Sequence, residues 1–196
     1  MRALAWIVLA AALALPAALL FRKGLSGPPA AEALGELPDY GAVPEFSLTE
    51  RSGRSLRRSE LDGRPWLASF IFTRCPGVCP TISANVSKLH ERLPDGVRLV
   101  SFSVDPTYDT PAVLSAYADR FGASRERWLL VTGPTDELRR LVSDGFHLSV
   151  AEDTGGALTH SDRVALVDRE GRIRRYYRGT EAGWVDEALR DLERLG

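Results

Sequence analysis

Residues 66–80 read WLASFIFTRCPGVCP. The first seven, Trp66 to Phe72, are almost wholly apolar and of strand length. Such a run suits a strand buried on both faces, as at the centre of an α/β sheet. The only two cysteines of the chain, Cys75 and Cys79, come directly after it, each immediately before a proline. A residue before proline is pushed out of the α region. The loop is therefore stiff, with regular helix expected from just after Cys75 or from Pro80. Open α/β sheets carry their reactive groups at the carboxyl ends of strands, which is where this loop falls.

Working outward, Ile82, Val86, Leu89 and Leu93 form the apolar stripe of a helix, which Pro94-Asp95-Gly96 stops. Val97 to Val104 is the predicted second central strand. Thr110 and Pro111 read as the cap and first residue of a helix reaching about Phe121. Trp128 to Val131 is a third strand, and Thr135 caps a helix reaching about Asp144. Val164–Val167 and Ile173–Tyr177, joined by Arg169-Glu170-Gly171, predict a terminal hairpin. Trp184, Val185, Ala188, Leu189 and Leu192 stripe a last helix. Upstream, Glu45 to Thr49 alternates polar and apolar before a turn at Ser52-Gly53, a short hairpin arm. The order is hairpin, then β-α-β-α-β-α, then β-β-α. That order implies a partly parallel sheet with helices on both faces. With cysteines directly after the first central strand, it predicts a thioredoxin-like, three-layer α/β/α fold with an N-terminal hairpin arm.

Ala3 to Phe21 is one apolar run broken only by Pro16, with Arg2 before it and Arg22 and Lys23 after it. It is long enough for a transmembrane segment, while Ala12-Leu13-Ala14 resembles a signal-peptide cleavage site. Residues 1–23 are thus expected to be a membrane anchor or a signal peptide. The anchor is favoured because apolar residues continue past the candidate site. No cysteine directly follows the run, which argues against a lipidated cysteine. The flanking charges balance and do not set orientation, but both readings export the remainder of the chain. Residues 24–42, rich in Gly, Pro, Ala and acids, are expected to form a flexible linker. Residues 43–196 are expected to form the folded domain.

The net charge is -1 and the arginines are interleaved with acids, so no basic field points to nucleic acid. Two cysteines are too few for a disulfide scaffold. Crosslinking so short a loop adds little stability, which leaves redox or metal chemistry. A nearby helix N-terminus is expected to lower the thiol pKa values. Zinc wants four ligands, whereas soft thiolates with one imidazole suit copper, Cu(I) above all. By residue chemistry alone, one copper ion held by Cys75, Cys79 and a histidine stands beside redox use of the two thiols. His90 reads as a solvated residue on the flank of the long helix, and His147 as structural, on a short strand or its edge. His160 ends the Gly155-Gly156-Ala157-Leu158-Thr159 loop before a strand, and such loops carry function disproportionately. By pattern alone the third ligand stays open, with His160 foremost.

From about Val43 to Leu195 the chain resembles the SCO/SenC family of copper chaperones. The Phe70 to Pro80 segment looks like the family's copper loop. Ser103-Val104-Asp105-Pro106, with Asp109-Thr110-Pro111 just beyond it, is similar to its second signature. His160, shortly before the Val164 to Asp168 strand, stands in the place of its histidine ligand. The resemblance implies a membrane-tethered, thioredoxin-like domain on the outer side of a bacterial cytoplasmic membrane, or in the periplasm if the leader is cleaved. It implies binding of Cu(I) or Cu(II) through Cys75, Cys79 and His160, and maturation of the binuclear copper centre of cytochrome c oxidase subunit II. That subunit or another copper acceptor, and other copper chaperones, would be the partners. Asp105 would be a carboxylate supporting the ligands or facing a partner, its alternative being a cap in a turn. Two positions depart from the family pattern. Arg74 stands where a histidine is frequent, and Gly77 where an acid is frequent. A cation at Arg74 would favour thiolates, and loss of the acid would alter partner docking.

A second function class is a thiol-disulfide oxidoreductase acting on a copper acceptor. There Cys75 would attack and Cys79 would resolve the mixed disulfide. Thioredoxins separate their cysteines by two residues and place a cis-proline before a later strand. Here three residues intervene and no proline precedes Val164, which favours metal. A peroxiredoxin-like peroxidase needs a threonine and an arginine arranged about a lone cysteine, and Thr73 and Arg74 are wrongly spaced for it. The favoured reading is a binding and transfer protein rather than an enzyme.

Overall fold

Strands β3 (Trp66–Ile71), β4 (Arg98–Ser103) and β5 (Trp128–Thr132) lie side by side and parallel, with Phe70 opposite Phe102 and Phe102 opposite Val131. Every residue of β3 is buried, because the side chains of a strand alternate between two covered faces. Trp66, Ala68 and Phe70 join one core, and Leu67 and Ile71 join the other. This computed structural model describes residues 36–152 and 158–195, with the backbone alone at residues 150–152 and 158–160.

The hairpin β1 (Ser47–Glu50) and β2 (Ser55–Arg57) adds to β5 antiparallel, and β8 (Arg163–Val167) and β9 (Ile173–Arg178) add to β3 the same way. The seven strands run in the order β2-β1-β5-β4-β3-β8-β9. Three helices, α1 (Val78–Arg92), α2 (Pro111–Arg120) and α4 (Trp184–Leu195), supply residues such as Val86, Leu114 and Leu192 to one core. The other core takes Leu138 from α3 (Thr135–Arg140) and a cluster of Trp66, Phe70, Phe102 and Phe146. Phe146 meets Phe70 edge-on at 5.0 Å. This is the mixed α/β, thioredoxin-like architecture expected.

Three local expectations change. Thr110 caps α2 as read, its hydroxyl accepting from the Val113 N–H at 3.4 Å. Thr135, by contrast, is the first residue of α3, with Pro134 at the cap position and no side-chain cap. The chain then passes from α3 into a π turn, Leu141–Gly145. A ladder of β6 (Val150–Glu152) and β7 (Leu158–His160) was not foreseen. His147 lies not on a strand but in the connection before β6, at φ 53.

Packing begins upstream of Val43. Leu37 is buried, and the Tyr40 N–H donates to the Ile173 carbonyl at 2.9 Å. Among the described residues no helix is long and apolar enough to cross a membrane. The expected anchor or signal peptide, residues 1–23, lies outside the described residues, as does most of the expected linker.

Candidate metal centre

Cys75 and Cys79 sit where β3 ends. The Cys75 N–H closes a turn onto the Phe72 carbonyl at 3.2 Å, and α1 begins at Val78. Neither cysteine is in a disulfide; Cys75 is half-buried and Cys79 fully buried. They are in hydrogen-bonding contact with each other. Burial pushes the Cys79 thiol well above the ordinary range, against a backbone hydrogen bond from Phe72 that pulls it down. The expectation that the helix N-terminus would lower the thiol pKa values therefore fails at Cys79. Desolvation of the charged form outweighs the helix field there.

The loop is tied to the end of β4 by an acid that sequence reasoning passed over. Asp109 is fully buried. Its carboxylate accepts from the Thr73 N–H at 3.1 Å, from the Thr73 hydroxyl, and from the Ser103 hydroxyl at 2.6 Å. Ser103 in turn accepts from the Asp105 N–H at 3.1 Å. The signal available was the Asp109-Thr110-Pro111 segment itself, an acid immediately before a helix cap. Nothing in the sequence ranked it above Asp105.

Asp105 takes a different place. Its carboxylate is 7% exposed and receives the Arg74 guanidinium at 2.6 Å, while Arg74 itself is 59% exposed. Arg74 also lies over the Tyr108 ring at 4.7 Å. Its charge is thus directed at Asp105 rather than at the sulfurs, contrary to the expectation that it serves the thiolates. The ion pair bridges the cysteine loop and the β4–α2 loop. Tyr108, under Arg74, is 48% exposed, and Val78, the first residue of α1, is 43% exposed.

Among the three histidines, His90 is half-buried, its Nε2 shares a hydrogen bond with the Ser124 hydroxyl at 2.9 Å, and burial lowers its pKa. It is a satisfied helix residue, less solvated than expected. The backbone of His160 ends β7, across the ladder from Val150. The His160 side chain lies outside the described residues. Among the described residues no group of three His, Cys, Asp or Glu side chains forms a metal cluster. The donors described are two adjacent sulfurs, which suit a soft ion such as Cu(I) with one further ligand.

A thioredoxin-like sheet bearing paired, reduced cysteines at its strand ends defines a class of small thiol and metal-handling domains. Within it, the SCO1/SenC family model matches residues 36–195, and the chain belongs to that family. It is 30% identical to the SCO1 protein homolog of Bacillus subtilis over 156 residues, covering 77% of this chain and 81% of that one. A SCO1/SenC family lipoprotein from Bacillus anthracis superposes with a TM-score of 0.75 at 30% identity, over 82% of this chain and 99% of that one. BsSco, a member of the Sco family of cytochrome c oxidase assembly proteins in which a disulfide switch is identified, gives a TM-score of 0.75 at 29% identity, over 83% and 97%. Bradyrhizobium japonicum ScoI, solved with copper bound, gives a TM-score of 0.64 at 26% identity, over 80% and 100%.

Proposed function

We propose that this chain is a copper metallochaperone. It binds one copper ion, Cu(I) or Cu(II), through Cys75, Cys79 and His160, and delivers it to the binuclear copper site of cytochrome c oxidase subunit II. The observation that carries the reading is the pair of reduced cysteines on one stiff loop, one reachable from solvent and the other buried. Only thiolates bind metal, so copper binding displaces the thiol protons and is pH-dependent. Transfer would proceed by ligand exchange, with donor atoms of the acceptor replacing those of the loop in turn. Copper bound to ScoI of Bradyrhizobium japonicum supports the cargo. The assembly role stated for BsSco supports the acceptor. Residues 1–23 would hold the domain, residues 43–196, on the outer face of a bacterial cytoplasmic membrane, or direct it to the periplasm if cleaved.

The test is a soluble fragment starting at Leu37, reduced anaerobically and loaded with Cu(I). It should retain about one equivalent; less than about half an equivalent defeats the proposal. His160→Ala should weaken Cu(II) retention more than His90→Ala or His147→Ala, and equal losses remove His160 from the site.

A thiol-disulfide oxidoreductase acting on the acceptor's cysteines is the second reading. It is favoured by the sulfur contact and by the burial difference, which suits an attacking Cys75 and a resolving Cys79. The disulfide switch of BsSco is in keeping with it. Reduction of an oxidised acceptor peptide by the copper-free protein, abolished in Cys75→Ser, separates this reading from transfer alone.

A further inference from the structure

At the opposite ends of the parallel strands from the cysteines, three arginines from separate segments converge. Arg64 precedes β3, Arg98 opens β4 and Arg127 precedes β5. Two adjoining clefts, of about 190 and 350 Å³, share Arg64, Gly96 and Arg98 in their walls, and Arg127 lines the larger. Each has room for several water molecules or a small anion.

The charge in these walls is poorly compensated. Among the described residues none of the three arginines has a carboxylate partner. Arg98 donates to the Glu60 carbonyl at 3.0 Å, and Arg127 to the Leu93 and Pro94 carbonyls at 2.6 and 3.1 Å. Those bonds use a few of the donors that three guanidinium groups carry. The Nε of Arg127 is buried with no acceptor, and so is the indole N–H of Trp66, which lines the smaller cleft. The acids at the rim have other cations: Glu60 pairs with Arg54 at 2.9 Å and Asp62 with Arg58 at 2.8 Å. Glu126, in the wall of the larger cleft, is within electrostatic reach of the buried Arg51.

Gly96 has a specific part. Its φ is 82°, and a Cβ there would fall 1.8 Å from Nη1 of Arg64. The missing side chain is what lets the Arg64 guanidinium lie flat across the backbone between the two clefts.

We infer that Arg64, Arg98 and Arg127 form a phosphate-binding site at the pole remote from the cysteines. Guanidinium groups bind phosphate through paired, charge-assisted hydrogen bonds. A phosphate would supply acceptors to Arg64 and Arg127 and neutralise charge that no described acid pairs. The phosphate is either free or the headgroup of an anionic lipid.

The experiment uses the full chain in uncharged detergent, labelled with ¹⁵N-arginine. Inorganic phosphate is titrated at constant ionic strength against chloride, and in a second arm the micelles are doped with phosphatidylglycerol. Saturable shifts of the Arg64 and Arg127 Nε–Hε resonances are expected with phosphate and not with chloride. Stronger saturation by the lipid assigns a headgroup, and saturation by phosphate with the lipid inert assigns the free ion. Arg64→Gln should weaken binding roughly tenfold or more without loss of the thermal transition, since Arg64 is exposed and pairs with no acid among the described residues. Gly96→Ala should weaken it as well, by displacing Arg64. The inference is overturned if shifts are linear in phosphate, are matched by chloride, or persist unchanged in Arg64→Gln.

Discussion

Asp109→Ala is the substitution that bears hardest on how the cysteine loop is held. The carboxylate is fully buried and receives three donors, the Thr73 N–H, the Thr73 hydroxyl and the Ser103 hydroxyl. Each donor left without a partner costs about 1–3 kcal/mol. The sum reaches at most about 9 kcal/mol, but half-buried Thr73 opens a route for water, and a bridging water recovers part of it. The expected loss is about 3 kcal/mol, or roughly 6–12 °C in Tm for a domain of this size. Asp109→Asn keeps one acceptor oxygen and should lose about 1–2 kcal/mol. The assay is thermal unfolding of the reduced, copper-free protein by circular dichroism, with alkylation of Cys79 under native conditions as a second readout. Thr73 lies two residues from Cys75, so loss of its anchor should open the loop and speed alkylation of buried Cys79. A Tm within about 2 °C of the parent refutes the energetic argument. A lower Tm with unchanged alkylation refutes the claim that Asp109 acts on the loop.

Other substitutions probe the two cores and the buried thiol. Ser101→Ala removes the acceptor of the buried Trp128 indole N–H, at 2.9 Å, and the partner of Ser69 at 2.7 Å; it should cost about 1–3 kcal/mol in denaturant unfolding. Phe146→Ala empties the centre of the aromatic cluster against Trp66, Phe70 and Phe102 and should cost about 3–5 kcal/mol by the same measurement. The Cys79 thiol is raised in the folded, copper-free protein, so its contribution is fully present below the unfolded pKa, about 8.5, and is lost as pH rises above it. Stability should fall by up to about 1.4 kcal/mol per pH unit from about pH 8.5 toward 10, and Cys79→Ala should remove that slope; the buried tyrosines Tyr117 and Tyr177, also raised by burial, act only at higher pH.

The central sheet was legible because its signals are local and repeated. The Trp66 to Phe72 run reads as a strand covered on both faces, and the spacing of Ile82, Val86 and Leu89 reads as one helix face, which these residues bury. Where two neighbouring residues compete for one role, the sequence is ambiguous. Pro134 and Thr135 both suit a helix start, since proline fixes the backbone angle and threonine offers a hydroxyl; the chain uses Pro134 at the cap position. The β6–β7 ladder escaped for another reason. Three-residue strands show too few alternations to register as a period.

The surroundings of the cysteines were legible in which charged residues lie near them and illegible in how those residues interact. Arg74, Asp105 and Asp109 are all visible as charges near the cysteines, but their pairing depends on which acid the fold turns inward. Asp109 is turned toward Thr73, and Asp105 is left for Arg74. The thiols show the same limit quantitatively. A helix N-terminus favours an anion by about 0.3–1 kcal/mol, less than about one pKa unit. Full burial moves a pKa by up to about 3–5 units, so the depth of Cys79 decides the outcome. That depth comes from the core Cys79 belongs to, in which Phe72 and Val104 also lie, and no pattern within the loop records it. The same consideration orders the proposed copper chemistry. If the proposal holds, an incoming ion would meet half-exposed Cys75 first, while Cys79 would have to give up a proton that burial holds in place. On that proposal, capture and release would turn on Cys75, and the proton held on the buried sulfur would add to the pH dependence of the exchange.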